Sequence, residues 1–167
     1  MLIFLIGFMG SGKSYIGRHL APLLGLEHLD IDRTIEENEG MSLKELFEKK
    51  GESYFRELEK KQLIDLHPEQ NLLISTGGGA PCFFDNMDVM NAKGLTIYLN
   101  RSKDSIIQRL IKGKHRRPLL AGMNKEQMEN FYDERIKSRN PFYEKSKLHV
   151  GDADVDEIFN IIENAAF

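Results

Sequence analysis

The chain has 167 residues, 41 % hydrophobic and 29 % charged, enough for one globular domain with its own core. Lys plus Arg total 23 and Asp plus Glu 26, a formal net charge of −3 that argues against bulk nucleic-acid binding; no apolar run reaches the ~18–20 residues that span a membrane. Cys82 is the single thiol, so no internal disulfide forms and a reducing compartment is expected.

In chain order, residues 2–6, LIFLI, read as a strand buried on both faces. No basic residue precedes MLIFLI and a glycine cuts it short, so it does not read as a signal peptide, and a cytoplasmic, single-domain protein is expected. Gly7–Gly12 form a turn, and residues 13–24 a helix with Ile16, Leu20, Leu23 and Leu24 on one stripe, ending near Gly25. EHLDID (27–32) is a second strand, and residues 33–39 a short helix stopped by Gly40. Ser42 and Glu45 fit a capping box for a helix through Lys50, stopped by Gly51; residues 54–66 form another. NLLIST (71–76) is a strand followed at once by three glycines. A helix near 86–92 ends at Gly94, LTIYL (95–99) is a strand, and Ser102 caps a helix to about Ile111. Residues 112–124, KGKHRRPLLAGMN, show no periodicity and read as a mobile loop. A helix over 125–139, a strand KLHV (147–150) and a helix over 154–164 complete the chain.

Strands alternating with helices predict an α/β three-layer sandwich with a parallel sheet, in which ligands bind at the carboxyl ends of the strands. Four strand ends carry unusual chemistry or backbone: Gly7–Ser14, Asp30 with Asp32, Gly77–Gly79, and Asn100 with Arg101. The first three are taken as the site.

GFMGSGKS (7–14) fits G-x-x-x-x-G-K-[ST] in full, with Gly7, Gly12, Lys13 and Ser14 at the fixed positions. Glycines let backbone N–H groups turn toward phosphate oxygens, and the helix beginning at Lys13 adds its positive dipole end. The lysine reaches the β- and γ-phosphates and the serine hydroxyl reaches Mg²⁺. A nucleoside triphosphate is therefore expected against Gly10, Ser11, Gly12, Lys13, Ser14 and Tyr15.

The remaining candidates are individually open. Two residues apart on a strand, Asp30 and Asp32 would point to one side, either as solvated turn acids or as a metal neighbour and a base. Arg56 either pairs with Glu52 or Glu59 at helical spacing or clamps an anion. The glycines of STGGGAP (75–81) either loosen a loop or bring a ligand close to backbone. Arg116 and Arg117 belong either to a solvated basic run or to a lid that closes on phosphates, and Arg135 is either surface charge or part of the site. Cys82 reads as a small buried side chain, and no histidine spacing suggests zinc.

Together these stretches resemble the shikimate kinase family over nearly the whole chain. GFMGSGKS is shared by many nucleotide-binding proteins, whereas LDID, FRELE, STGGGAP, RRPLL and the RNPFY segment, in this order, are specific to that family. The resemblance implies a nucleoside-monophosphate-kinase-like fold, a five-stranded parallel sheet with helices on both faces. It implies ATP-dependent phosphorylation of the 3-hydroxyl of shikimate. Asp32 would bind the acceptor and act as base, with Lys13 and Arg117 the other catalytic groups. Arg56 and Arg135 would hold its carboxylate, Gly77, Gly78 and Gly79 would contact it, and Ser14 and Asp30 would serve Mg²⁺. Residues 33–60 would be a substrate-binding subdomain and 112–124 a lid within one domain, 1–167. A monomer is expected, with a small-molecule substrate and neither nucleic acid nor membrane as partner. The segment GDADVDE (151–157) lacks the proline or arginine that family members often carry near adenine, which leaves Arg109 as the candidate for one side of the base. A gluconate or nucleotide kinase, or a nucleotide-dependent switch, is the rival reading.

Overall fold

The structure, a computed structural model, describes residues 1–113, 120 and 122–165. Five strands, β1 (Leu2–Ile6), β2 (Glu27–Asp30), β3 (Leu72–Ser75), β4 (Leu95–Tyr98) and β5 (Leu148–His149), form one sheet in the order β2-β3-β1-β4-β5. Every pairing is parallel, with Phe4 opposite Ile74 on one side and Thr96 on the other. The helices are α1 (Lys13–Leu23), α2 (Ile31–Glu39), α3 (Leu43–Asp65), α4 (Asn86–Lys93), α5 (Lys103–Gly113), α6 (Lys125–Tyr143) and α7 (Val155–Asn164), with a 3₁₀ turn at Ala80–Cys82.

Strand alternation divides the core in two. Leu2, Phe4 and Ile6 pack with residues of α2 to α6, including Ile35, Phe55, Met90, Ile106 and Tyr143. Ile3 and Leu5 face the other way onto Ile16, Leu20, Ile158 and Ile162 of α1 and α7. Helices thus cover both faces of the sheet. β1 lies at its centre, so the turn leaving β1 occupies the middle of the carboxyl edge.

Local chemistry sets the boundaries. Ser42 with Glu45, Asn124 with Gln127 and Asp154 with Glu157 form reciprocal capping boxes. Gly40 ends α2 in the left-handed conformation, and Gly51, at φ 82 and ψ 168, kinks α3 into two helical parts.

Four expectations are corrected. β2 stops at Asp30, so Asp30 and Asp32 do not share a strand face: Asp30 caps α2 and Asp32 sits in its first turn. Thr34 Oγ1 donates to the Asp30 carbonyl and Arg33 N–H to its carboxylate, which turns the chain into helix early. Leu23 is 51 % exposed, and the buried stripe of α1 is Ile16, Gly17, Leu20 and Ala21. The loop expected from residue 112 begins later, because Lys112 and Gly113 continue α5. Finally, α6 runs through Pro141 to Tyr143. The proline deprives only the exposed Lys137 carbonyl of a donor, while Tyr143 is fully buried against Tyr98 and reaches Gly78 with its hydroxyl.

Candidate active site

The turn between β1 and α1 has the backbone its pattern demands. Gly7, Gly10 and Gly12 have φ of 149°, 83° and 94°. A side chain at Gly10 would meet the Leu110 methyl at 2.9 Å and displace it, and the positive φ itself favours glycine there. Ser11 is fully buried. The Lys13 ammonium curls back over the turn and donates to the carbonyls of Gly7 at 2.8 Å and Phe8 at 3.1 Å. Tyr15, 62 % exposed, stands at the rim and leans on His19.

Ser14 Oγ donates to Asp30 Oδ2 at 2.5 Å, bringing a hydroxyl and a carboxylate side by side at the mouth of the turn. No group of three or more His, Cys, Asp or Glu able to hold a metal occurs among the described residues. One hydroxyl and one carboxylate suit Mg²⁺, which takes oxygen ligands and completes its shell with phosphate and water. The donor set therefore fits that ion beside a bound nucleotide.

Next to this cradle lies a dense charged cluster. Arg56 is held on both sides: Glu59 Oε2 accepts from Nη1 at 2.6 Å, and Glu52 Oε1 from Nη2 at 2.8 Å and Nε at 3.1 Å. The guanidinium also lies over Phe83, 4.2 Å from its centroid. Both helical partners that the sequence offered for Arg56 are thus real, yet the residue also faces the glycine loop. A Cβ at Gly79 would stand 2.8 Å from Arg56 Nη2.

Asp32 Oδ1 and Glu59 Oε1 are buried without a hydrogen-bond partner among the described residues, and both point at Gly77. Burial, reinforced by Asp30, pushes the Asp32 carboxyl up to about 6. Burial likewise raises Glu59 to about 7, against the pull of Arg56. Asp32 is therefore a desolvated carboxyl close to neutral pH, with one oxygen lacking a donor.

Gly78 joins the two halves. A Cβ there would lie 3.2 Å from Met9 N of the phosphate turn and 3.5 Å from Arg139 Nη1. The Gly78 carbonyl accepts from the Tyr143 hydroxyl. On α6, Arg139 lies over Phe8, and Arg135, one turn earlier, over Phe131. Burial, then repulsion from Arg139 and Arg56, lowers the Arg135 pKa, so three guanidinium groups share one neighbourhood. Neither Arg135 nor Arg139 has a carboxylate within salt-bridge distance among the described residues. Such a cluster is suited to an anion.

On the far side of the turn is a cavity of about 590 Å³, lined by Gly12, Tyr15, Ile16, Arg101, Arg109 and the segment from Asp152 to Asp156. Arg109 Nη1 donates to the Ser11 carbonyl at 3.0 Å. Ala153 and Val155 also line it, with no proline.

The sequence profile of the shikimate kinase family matches residues 9–165. The shikimate kinase of Parabacteroides distasonis is 42 % identical over 166 residues, covering 96 % of both chains. The crystal structure of shikimate kinase from Bacteroides thetaiotaomicron superposes with a TM-score of 0.88 at 38 % identity, covering 98 % of this chain and 94 % of that one. Shikimate kinase from Acinetobacter baumannii, solved in complex with shikimate, superposes with a TM-score of 0.85 at 34 % identity, over 99 % and 95 % of the two chains.

The chain belongs to the shikimate kinase family.

The fold expected of that family, with its phosphate-binding turn at the centre of a five-stranded parallel sheet, is the one found. The structure gathers Lys13, Ser14, Asp30, Asp32, Arg56, Gly77, Gly78, Gly79 and Arg135 along one edge of the sheet, and Arg109 beside the cavity. Arg117 lies outside the described residues, as does Arg116. Glu59 and Arg139 belong to the same cluster and were not singled out by sequence. Glu59 entered only as a helical partner of Arg56. Arg139 entered only as the first residue of RNPFY, with no role of its own, although it sits four residues after Arg135 and four before Tyr143, a spacing that puts all three on one face of a helix.

Proposed function

We infer that this shikimate kinase family member transfers the γ-phosphoryl group of ATP to the 3-hydroxyl of shikimate, releasing ADP and shikimate 3-phosphate. The observation that carries this reading is the contact between Gly78 and the phosphate turn. It sets a site with arginines, a desolvated carboxyl and backbone amides directly against the cradle for a triphosphate. A small acceptor bearing one carboxylate and several hydroxyls suits these groups.

In this assignment the turn 10–15 holds the phosphates through backbone N–H groups, and Lys13 leaves its carbonyl partners for the β- and γ-phosphates. Arg56 and Arg135, joined by Arg139, receive the acceptor carboxylate, and Gly77–Gly79 approach it through backbone. Asp32 accepts the proton of the 3-hydroxyl as its oxygen bonds to the γ-phosphorus and the bridging oxygen departs with ADP. Mg²⁺ would be held by Ser14 directly and by Asp30 through water, and supplies positive charge to the phosphates. Adenine occupies the cavity beside Arg109.

Residues 33–60 form the substrate-binding subdomain in this reading. Residues 112–124 are the lid that brings Arg117 over the phosphates, with 114–119 and 121 outside the described residues. The chain works as a monomer in the cytoplasm. No described helix is long and apolar enough to cross a membrane. An ADP-release assay tests the function. Turnover with shikimate, and none with gluconate or nucleoside monophosphates, is the expected outcome; preference for another acceptor overturns the reading.

A further inference from the structure

Arg101 is the least exposed arginine of the described residues, at 4 %, and the reaction described above does not use it. It lies just beyond β4, at the strand end that the sequence marked as unusual and the site left aside. Its Nε donates to the Ser11 carbonyl at 3.3 Å, the same oxygen that accepts from Arg109 Nη1 at 3.0 Å. Two guanidinium groups from different segments therefore converge on one peptide of the phosphate turn.

That peptide is the link between Ser11 and Gly12. In a planar trans peptide the C=O and the following N–H point in opposite directions. Drawing the Ser11 oxygen toward Arg101 and Arg109 consequently turns the Gly12 N–H the other way, into the cradle. Helix α1 begins at Lys13, so this N–H belongs to the donors that a helix start leaves without intrahelical acceptors. Gly12 is at φ 94°, a left-handed conformation that glycine adopts without strain, so the orientation of this peptide is left to the groups that hold its carbonyl.

The chemistry of the holder is informative. A neutral donor would bind a carbonyl without the cost of burying a permanent charge. Here two like charges share one acceptor, and no carboxylate lies within salt-bridge distance of Arg101 among the described residues. Asp152, Asp154 and Glu157 offset its charge only from further away. Arg101 also borders the cavity that opens onto the turn. A buried cation in that position gains most when a polyanion occupies the turn beside it.

We propose that Arg101 is a positioning residue for the nucleotide: it fixes the Ser11–Gly12 peptide so that the Gly12 N–H faces the β-phosphate. The proposal rests on reading Gly7–Ser14 as a phosphate cradle.

The test compares ADP with AMP, which lacks the β-phosphate, by calorimetric titration of the whole chain carrying Arg101→Met, Arg101→Lys or Lys13→Ala. Arg101→Met is expected to weaken ADP by about 10–100-fold, the loss of a charge-assisted hydrogen bond. AMP affinity and the KM for shikimate should stay within about threefold, a split that a merely structural loss would not produce. Arg101→Lys, which keeps one charged donor, should recover part of the ADP affinity; if Arg101→Met does not fold, the lysine variant carries the comparison alone. Equal losses for ADP and AMP would place Arg101 on the base or α-phosphate and overturn the proposal, as would unchanged ADP affinity. Lys13→Ala separates the two readings. If it leaves ADP binding intact the cradle itself is wrong, whereas if it weakens ADP and Arg101→Met does not, the cradle stands and only the role of Arg101 falls.

Discussion

Glu59 Oε2 lies 2.6 Å from Arg56 Nη1, and the pair is almost wholly withdrawn from water. The other oxygen of Glu59 is left unpartnered and aimed at Gly77, where Asp32 Oδ1 is unpartnered too. Two buried carboxyls thus meet across a glycine, one bound to an arginine and one not. Neither is at ease as an anion, which is what gives the site its pH behaviour.

The first prediction concerns that behaviour. Asp32 is raised from 3.8 to about 6 and Glu59 from 4.5 to about 7, each mainly by burial. Unfolded, both groups lose their protons at the lower values, so between the two the folded chain binds more protons. Stability of the ligand-free protein should therefore fall as pH rises from about 4 to about 7. Catalysis runs the opposite way, because a base must be unprotonated, and kcat/KM for shikimate should drop as pH falls through about 6, the value of the ligand-free carboxyl. Asp32→Asn removes the buried charge: its melting temperature at pH 8 should exceed the parent's by about 4 °C, on the scale of ~2–4 °C per kcal/mol. Its turnover should fall by at least about 10²-fold. A variant as active as the parent, or a flat pH profile, would show that Asp32 is not the base.

A second prediction uses the close approach at the glycine loop. A methyl group on Gly79 would stand within about 3 Å of three Arg56 atoms, and Gly79 itself has an ordinary helical φ of −92°. The strain of Gly79→Ala thus falls on the guanidinium and not on the backbone. The KM for shikimate should rise by roughly tenfold, about 1.4 kcal/mol of displaced clamp, while ADP affinity stays put. Loss of ADP affinity in equal measure would mean that the two loops move together.

A third concerns Lys13. Its ammonium rests on two turn carbonyls and contributes little to either core. Lys13→Ala should therefore fold normally and lose phosphoryl transfer by about 10³-fold or more, as removal of a charge that stabilises the transferring group does. Near-parental turnover in a folded sample would remove the lysine from the mechanism.

Much of this was legible in the sequence, for identifiable reasons. The apolar run of β1, the capping residues Ser42 and Ser102, and the breaks at Gly40 and Gly51 are local signals, and the structure keeps them. The phosphate turn was legible because its spacing and its glycine φ values belong to one short stretch. What escaped depends on side-chain hydrogen bonds that compete with the strand pattern, or on distance in the chain. Asp30 and Asp32 look like alternating strand residues until Thr34 and Arg33 fold back on Asp30. The end of α6 is hidden behind Pro141, because the burial of Tyr143 against Gly78, 65 residues away, outweighs one missing hydrogen bond. Glu59 reads only as a helical partner of Arg56, and Arg101 as a strand-end residue outside the site; only tertiary packing shows that both are buried.

The last prediction follows from that same helix. Arg135 and Arg139 lie one turn apart, and their surroundings differ. Arg139 reaches the Gly78 wall and is felt as a positive charge by Glu59. Arg135 sits over Phe131 and is perturbed by Glu52, a residue 58 % exposed, so it stands nearer the solvent edge. A carboxylate bound against the glycine loop should therefore depend more on Arg139. Arg139→Ala should raise the KM for shikimate by about 10–100-fold, and Arg135→Ala by about 3–10-fold, since an interaction near solvent is screened. The KM for ATP should change by less than about twofold in both, because neither residue borders the nucleotide cavity. Shikimate methyl ester supplies the control. Without the anion, the parent and both variants should handle the acceptor almost equally poorly. If Arg135→Ala proved the more damaging change with shikimate, the carboxylate would lie at the outer edge of the cluster. If the ester kept the full difference between Arg139→Ala and the parent, Arg139 would be acting on a hydroxyl or on the fold of α6 and not on the carboxylate.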